Sequence, residues 1–133
     1  MPTKTTFRSA ALLIAAVLTF LLFYLGAKPI AVNLFPEPWD KAAHFVFFGG
    51  VALLLSIFDD GMHPFLTMMA TTLIGATDEL HQSTLPGRSV DATDLATDAI
   101  AAACGVLLYR LINAAAQNTR SLPASVPDPL EES

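Results

Sequence analysis

The chain alternates between long apolar runs and short polar connections, a pattern typical of helices that cross a membrane. Each run has roughly the 17–25 residues that such a helix needs. The predicted transmembrane helices lie at about residues 8–27, 42–58, 64–82 and 91–113. Residues 114–133 turn to Gln, Asn, Ser and Pro, which predicts a disordered polar tail. We therefore expect an all-α fold, an integral membrane four-helix bundle with short connections, in one domain over residues 1–113.

The first apolar run also fits a signal peptide, because Lys4 and Arg8 precede it. However, the run is long for that, and Lys28-Pro29 follows it where small residues would mark a cleavage site. We expect an uncleaved transmembrane helix.

Composition supports the membrane class. The chain is 53% hydrophobic and 14% charged, whereas about a quarter of the residues in a soluble domain are charged. The net charge of −5 and the lack of a basic patch argue against a nucleic-acid partner. The single cysteine, Cys104, cannot form an internal disulfide. The lipid bilayer is the partner that the composition predicts.

Ionisable residues concentrate at the start of the second predicted helix and in the stretch 78–98, around a turn at Pro86-Gly87. With four spans, the first and third connections share one side of the membrane, so these two groups are predicted to meet. Ionisable groups at membrane depth are costly and usually functional. We therefore expect a functional polar pocket, with a purely structural network as the alternative.

Roles follow from side-chain chemistry. His44 and Glu79 are the candidate acid/base pair, because both side chains can transfer protons. Lys41, Gln82 and Arg88 are the candidate substrate-binding residues, and arginine offers bidentate contacts to phosphate or carboxylate. The carboxylates expected to orient these groups are Asp40, Asp91, Asp94 and Asp98.

Asp40 lies four residues before His44, so on a helix its carboxylate is expected to orient the imidazole. An alternative is a divalent cation, Mg²⁺ or Mn²⁺, held by donors from three helices. The donors for that alternative are His44, Glu79, Asp94 and Asp98. The sequence has no HExxH, phosphate-binding loop or GxSxG motif. It therefore assigns no metal site and no cofactor, and it leaves open whether the protein is an enzyme.

The polar motifs resemble those of the VanZ-like family of small membrane proteins. In order along the chain they are Asp40-Lys41-x-x-His44-Phe45, Glu79-x-x-Gln82, Pro86-Gly87-Arg88, Asp91 and Asp94. The resemblance covers about residues 40–105. The family usually has Asn where this chain has Asp98 and Gly where it has Ala101, so Asp98 adds a charge.

The resemblance implies a multi-pass helical protein with its polar motifs at one membrane face. Some members are associated with low-level resistance to the glycopeptide teicoplanin, which acts at the cell envelope. We therefore expect a protein of a bacterial-type cytoplasmic membrane that binds or acts on an anionic lipid or a lipid-linked envelope component. The alternative is a non-catalytic scaffold or subunit whose polar cluster is structural.

Orientation is predicted from positive charge. The side of the termini has Lys4, Arg8, Arg110 and Arg120, against Lys28, Lys41 and Arg88 on the other side. Four against three favours cytoplasmic termini. Ion or proton transport is disfavoured, because the halves of the spans away from the pocket contain few polar residues.

Overall fold

The computed structural model describes residues 3–31, 34–36, 38–88 and 90–121. Within these ranges the chain is all-helical and contains no strand, which confirms the predicted fold class. A short 3-10 helix, Pro29–Ala31, lies in the first connection. The α-helices are α1 (Lys4–Gly26), α2 (Trp39–Asp59), α3 (Pro64–Gln82) and α4 (Ala92–Ser121).

The turn between α2 and α3 is closed by one side chain. The Asp59 carboxylate accepts the backbone N–H groups of Gly61 and His63 at 2.8 and 2.9 Å. Asp60 adopts a left-handed conformation with φ of 60°, which ends α2. Pro64 begins α3 at a first-turn position, where a missing N–H breaks no helical hydrogen bond.

The fourth helix is longer than predicted. It ends at Ser121 instead of Asn113, so residues 114–121, predicted to be disordered, are helical. Three consecutive alanines, 114–116, explain the difference, because alanine is the strongest helix former. Residues 122–133 of the predicted tail lie outside the described residues.

Consecutive helices run antiparallel, as contacts at both ends of the bundle show. At one end, Arg8 Nε donates to the Phe58 carbonyl at 2.6 Å and joins the start of α1 to the end of α2. At the other end, Lys41 Nζ lies 3.2 Å from Asp91 Oδ2, just before α4. We call this second end, formed by the starts of α2 and α4 and the end of α3, the polar end. The prediction that the first and third connections share one face is confirmed.

Three of the helices, α1, α2 and α4, are long and apolar enough to cross a membrane. The third helix, α3, is not among them, and it buries polar side chains within the bundle. Those side chains are Thr67, Thr71, Asp78, Glu79 and Gln82. Because α3 returns from the far end of α2 to the polar end, its 19 residues cover about 28 Å alongside the other helices. These five side chains therefore face the protein, whereas Thr77 is exposed and its hydroxyl donates to the Leu73 carbonyl.

Small residues allow α2 and α4 to pack closely. A Cβ atom at Gly105 would collide with the Gly49 carbonyl oxygen and lie 3.0 Å from the Ala52 Cβ. A Cβ at Gly49 would lie 3.4 Å from the Ala101 carbonyl oxygen. Backbones in direct contact gain dispersion energy, which stabilises helix pairs in lipid. This contact fixes the register that places the start of α2 beside the start of α4.

The topology predicts opposite labelling of two loops. In a Cys104→Ala background, Ser83→Cys at the polar end and His63→Cys at the other end are expected to react with an impermeant maleimide from opposite sides, since both positions are exposed. Cytoplasmic termini predict that His63→Cys reacts only in inverted vesicles. Labelling of both from the same side would contradict the single crossing by α3 that separates them.

Candidate functional site

The imidazole of His44 is held between helices at the polar end. Its Nδ1 lies 2.9 Å from Asp98 Oδ1, and the Asp98 side chain is fully buried. Asp98 therefore orients the imidazole, whereas the spacing along α2 predicted Asp40 for that role. The Asp40 carboxylate instead lies 3.5 Å from Lys41 Nζ. The close approach of α4 to α2, which sequence spacing does not report, brings Asp98 to the ring.

A glycine on α3 makes room for Asp98. A Cβ at Gly75 would collide with Asp98 Oδ2 and lie 3.1 Å from the Asp98 Cβ. Oδ2 itself has no hydrogen-bond partner among the described residues. The position of this carboxylate is thus set by His44 on one side and by the bare backbone of Gly75 on the other.

Two adjacent carboxylates at the end of α3 are buried. Asp78 is 2% exposed, and its Oδ2 accepts a hydrogen bond from Gln82 Nε2 at 2.7 Å. Glu79 is 5% exposed, and its Oε2 accepts the backbone N–H of Asp91 at 2.9 Å. One donor atom each from His44, Asp78 and Glu79 lies within 4.8 Å of the others. The predicted pair, His44 and Glu79, is therefore brought together.

Asp78 is a site residue that the sequence reasoning missed. It lies three residues after Gly75 and four before Gln82, and Thr71 lies four before Gly75. All four residues are buried. Small and polar residues at helical spacing in an otherwise apolar span mark the face that points into a bundle. That signal was present, and it favours Asp78 as strongly as Glu79.

Lys41 lies among three carboxylates. Its Nζ is 3.5 Å from Asp40, 3.2 Å from Asp91 and 3.4 Å from Asp94. Asp91 also accepts hydrogen bonds from the hydroxyl and the backbone N–H of Thr93, at 2.7 and 2.8 Å. These bonds and the Lys41 ammonium lower the pKa of Asp91 to about 2. Asp91 is thus ionised at neutral pH, and it compensates part of the Lys41 charge.

A cavity of about 650 Å³ opens at the polar end beside α1. One part of its wall is charged or polar and includes Asp40, His44, Asp78, Gln82, Arg88, Asp91 and Asp94. Another part is apolar and includes Leu18, Leu21, Leu22, Leu25, Phe47 and Phe48. Three predicted site residues, Lys41, Glu79 and Asp98, are not part of the wall. The cavity therefore combines a polar region with a hydrocarbon surface.

Arg88 is fixed at the edge of this cavity. Its Nη1 donates to the Ala31 carbonyl at 3.1 Å, which ties the third connection to the first. Its Nε is buried and has no hydrogen-bond partner among the described residues. The guanidinium is thus anchored through one nitrogen, and a donor remains unsatisfied near the cavity.

These features define a multi-pass membrane protein with a polar site at one end of a helical bundle. A family model described as VanZ/LLP1 matches residues 3–113, and the chain belongs to that family. The match confirms the resemblance drawn from the polar motifs and extends it over α1. Comparisons with curated proteins and with solved structures found no match.

Proposed function

We propose that the protein binds an anionic lipid or a lipid-linked component of the cell envelope in the cavity at the polar end. The observation that carries this proposal is the two-sided lining of the cavity, with charged groups in one region and leucines of α1 in another. Such a lining suits a molecule with a polar head and a hydrocarbon chain. A small water-soluble ligand would make no use of the apolar wall.

The apolar wall has the spacing of one helical face. Leu18, Leu21, Leu22 and Leu25 follow one another at three, one and three residues, so all four lie on the same side of α1. They cover about 10 Å along the helix axis. In the proposed complex the lipid chain lies along this face at hydrocarbon depth, and the headgroup lies at the polar end.

Arg88 is the proposed contact for the headgroup. Guanidinium groups bind phosphate and carboxylate through paired N–H donors, and the buried Nε of Arg88 has no hydrogen-bond partner among the residues that the structure describes. Gln82 lines the same cavity, while Lys41 acts through the carboxylates around it. Any reaction at the headgroup is assigned to His44 and Glu79 as the acid/base pair, with Asp40, Asp91, Asp94 and Asp98 as orienting residues.

Replacement of Arg88 by alanine is expected to reduce retention of anionic lipid about tenfold or more. A hydrogen bond to a charged group contributes about 1.5–3 kcal/mol, and tenfold corresponds to about 1.4 kcal/mol. The measurement is native mass spectrometry of protein released from nanodiscs that contain phosphatidylglycerol, phosphatidylethanolamine and a polyprenyl phosphate.

Arg110→Ala is the matched control, because Arg110 is an exposed arginine of α4 far along the helix from the polar end. It is expected to retain lipid as the unmodified chain does. Equal lipid retention by Arg88→Ala and Arg110→Ala would contradict the proposal. In cells, the envelope lipids and teicoplanin susceptibility of a deletion strain are the corresponding readouts.

The ion pairs of Lys41 favour a second candidate, a non-catalytic scaffold or subunit whose polar cluster fixes the helix hairpin. A scaffold predicts that Arg88→Ala and Asp94→Ala both lower the Tm in detergent strongly. A binding site allows these variants to be neutral or more stable, because functional polar groups are often held at a cost in stability. Strong destabilisation with unchanged lipid retention would support the scaffold.

A further inference from the structure

We propose that His44, Asp78 and Glu79 form a site for one divalent transition-metal ion. The three residues come from two helices, and their donor atoms lie within 4.8 Å of one another. Donors bonded to one tetrahedral ion at about 2.0–2.3 Å lie about 3.3–3.8 Å apart. Side-chain torsions that draw the three donors together by up to about an ångström would bring them all to one ion. This inference rests on the geometry of the three side chains and does not depend on lipid binding, and with an ion bound His44 and Glu79 act as its ligands and not as an acid/base pair.

Neighbouring groups already orient two of the three ligands. Asp98 lies at His44 Nδ1, and a hydrogen bond from Nδ1–H to this carboxylate leaves the Nε2 lone pair available. Ligating histidines in metal sites usually make such a bond to a carboxylate. Gln82 Nε2 holds Asp78 Oδ2 in the same way, which leaves Oδ1 as the donor. Asp98 and Gln82 are therefore positioning residues for the ion.

Glu79 supplies an independent indication that a ligand belongs here. One oxygen accepts the Asp91 N–H, but Oε1 has no hydrogen-bond partner in the described part of the chain, although the residue is only 5% exposed. A buried carboxylate oxygen without a partner is costly, because it has lost its water and gained nothing in return. A cation bound at Oε1 would remove that cost.

Carboxylates outnumber cationic side chains at the polar end, which also favours a bound cation. Among the described residues there, Lys28, Lys41 and Arg88 are the permanently charged cations, and Lys28 lies over the Tyr24 ring of α1. Six carboxylates face them, from Asp40, Asp78, Glu79, Asp91, Asp94 and Asp98. A divalent ion would offset the charges of Asp78 and Glu79, which are adjacent and buried. It would also allow an anionic headgroup to enter a cavity whose wall is otherwise rich in acids.

The donor set indicates the class of ion. One imidazole nitrogen with two carboxylates suits Mn²⁺ or Zn²⁺ better than Mg²⁺ or Ca²⁺, which prefer oxygen ligands alone. This ligand set differs from the set of donors considered from the sequence. Asp78 is now a ligand, and Asp98 is not a ligand but accepts a hydrogen bond from His44 Nδ1.

Isothermal titration of chelator-stripped protein in detergent tests the proposal directly. We expect one Mn²⁺ or Zn²⁺ per chain with a Kd in the micromolar range or lower, and weaker binding of Mg²⁺. Glu79→Gln and Asp78→Asn keep side-chain size and are expected to weaken binding more than tenfold. Asp98→Asn is expected to weaken it by about 10–100-fold. His81→Gln is the control. His81 lies at the same end of α3 as the proposed ligands, but its ring packs on Phe23 of α1 and it is not one of those ligands.

Thermal unfolding gives a second readout, because the difference in Tm between Asp78→Asn and the unmodified chain is expected to change sign when metal is added. Without metal, Asp78→Asn is expected to have a higher Tm than the unmodified chain, because one of two adjacent buried charges is gone. With saturating Mn²⁺ or Zn²⁺ the order reverses, since only the unmodified site gains binding energy. If Asp78→Asn loses its helical circular dichroism, Glu79→Gln decides by the same comparison.

Failure of the unmodified chain to bind any of these ions would overturn the proposal, and so would equal affinity in Glu79→Gln and His81→Gln. An unmodified chain that binds the ion but retains no anionic lipid would count against the proposed function alone. An unmodified chain that retains anionic lipid but binds no ion would count against this inference alone.

Discussion

Gly105→Ala is expected to lower the free energy of unfolding by about 1–3 kcal/mol. The added methyl would collide with the Gly49 carbonyl oxygen and press on the Ala52 side chain, so α2 and α4 must separate. Alanine contributes up to about 1 kcal/mol of extra helix propensity, which is too little to offset lost contact along the tightest helix pair. Unfolding in mixed detergent micelles, followed by circular dichroism, measures the difference.

Gly50→Ala is the matched control for this substitution. Gly50 is adjacent to Gly49 on α2, but nothing lies within 4 Å of the position that its Cβ would occupy. It is therefore expected to be neutral or slightly stabilising. Equal stability of Gly105→Ala and Gly50→Ala would show that the α2–α4 contact is looser than the structure gives it.

Gly75→Ala is expected to displace Asp98 and break its contact with His44. The new methyl occupies the space of Asp98 Oδ2, and the fully buried side chain cannot move into solvent. When Gly75→Ala is the only substitution, we expect it to lower the free energy of unfolding by about 1–3 kcal/mol. In an Asp98→Ala background the same substitution is expected to be close to neutral, because the methyl fills the vacated space.

A double-mutant cycle measures that coupling. Residues in contact show interaction energies of about 0.5–3 kcal/mol, whereas independent sites add within about 0.5 kcal/mol. The four chains are the unmodified protein, Gly75→Ala, Asp98→Ala and the double variant, each unfolded in the same micelles. Additive effects would mean that Asp98 does not lie against Gly75 and that α3 and α4 approach each other differently.

The helices could be predicted from the sequence because each property involved is local. Length and apolarity defined α1, α2 and α4, and a proline marked the start of α3 at residue 64. The antiparallel order then forced the polar connections onto one face, and the ion pair between Lys41 and Asp91 confirms this. The end of α4 was the boundary furthest from its predicted position, because the change to polar composition was given more weight than the helix propensity of residues 114–116.

The partners within the site could not be predicted, because they depend on how closely the helices approach. Asp40 and Asp98 are both within reach of His44 by topology, and the Gly49–Gly105 contact decides in favour of Asp98. Lys41 was expected to bind the ligand, but its ammonium lies beside Asp91 and Asp94, which only the assembled bundle brings to it from the start of α4. The roles assigned to these residues remain predictions.

The position of α1 has a consequence for how such proteins diversify. Four leucines of the cavity wall, Leu18, Leu21, Leu22 and Leu25, belong to α1, whereas the imidazole and the buried carboxylates belong to α2, α3 and α4. In the proposed complex, the contacts of α1 thus affect the choice of hydrocarbon chain without contributing to the headgroup chemistry. Replacement of these α1 leucines by smaller or larger apolar residues should change which lengths of lipid hydrocarbon chain are bound and leave the headgroup preference unchanged.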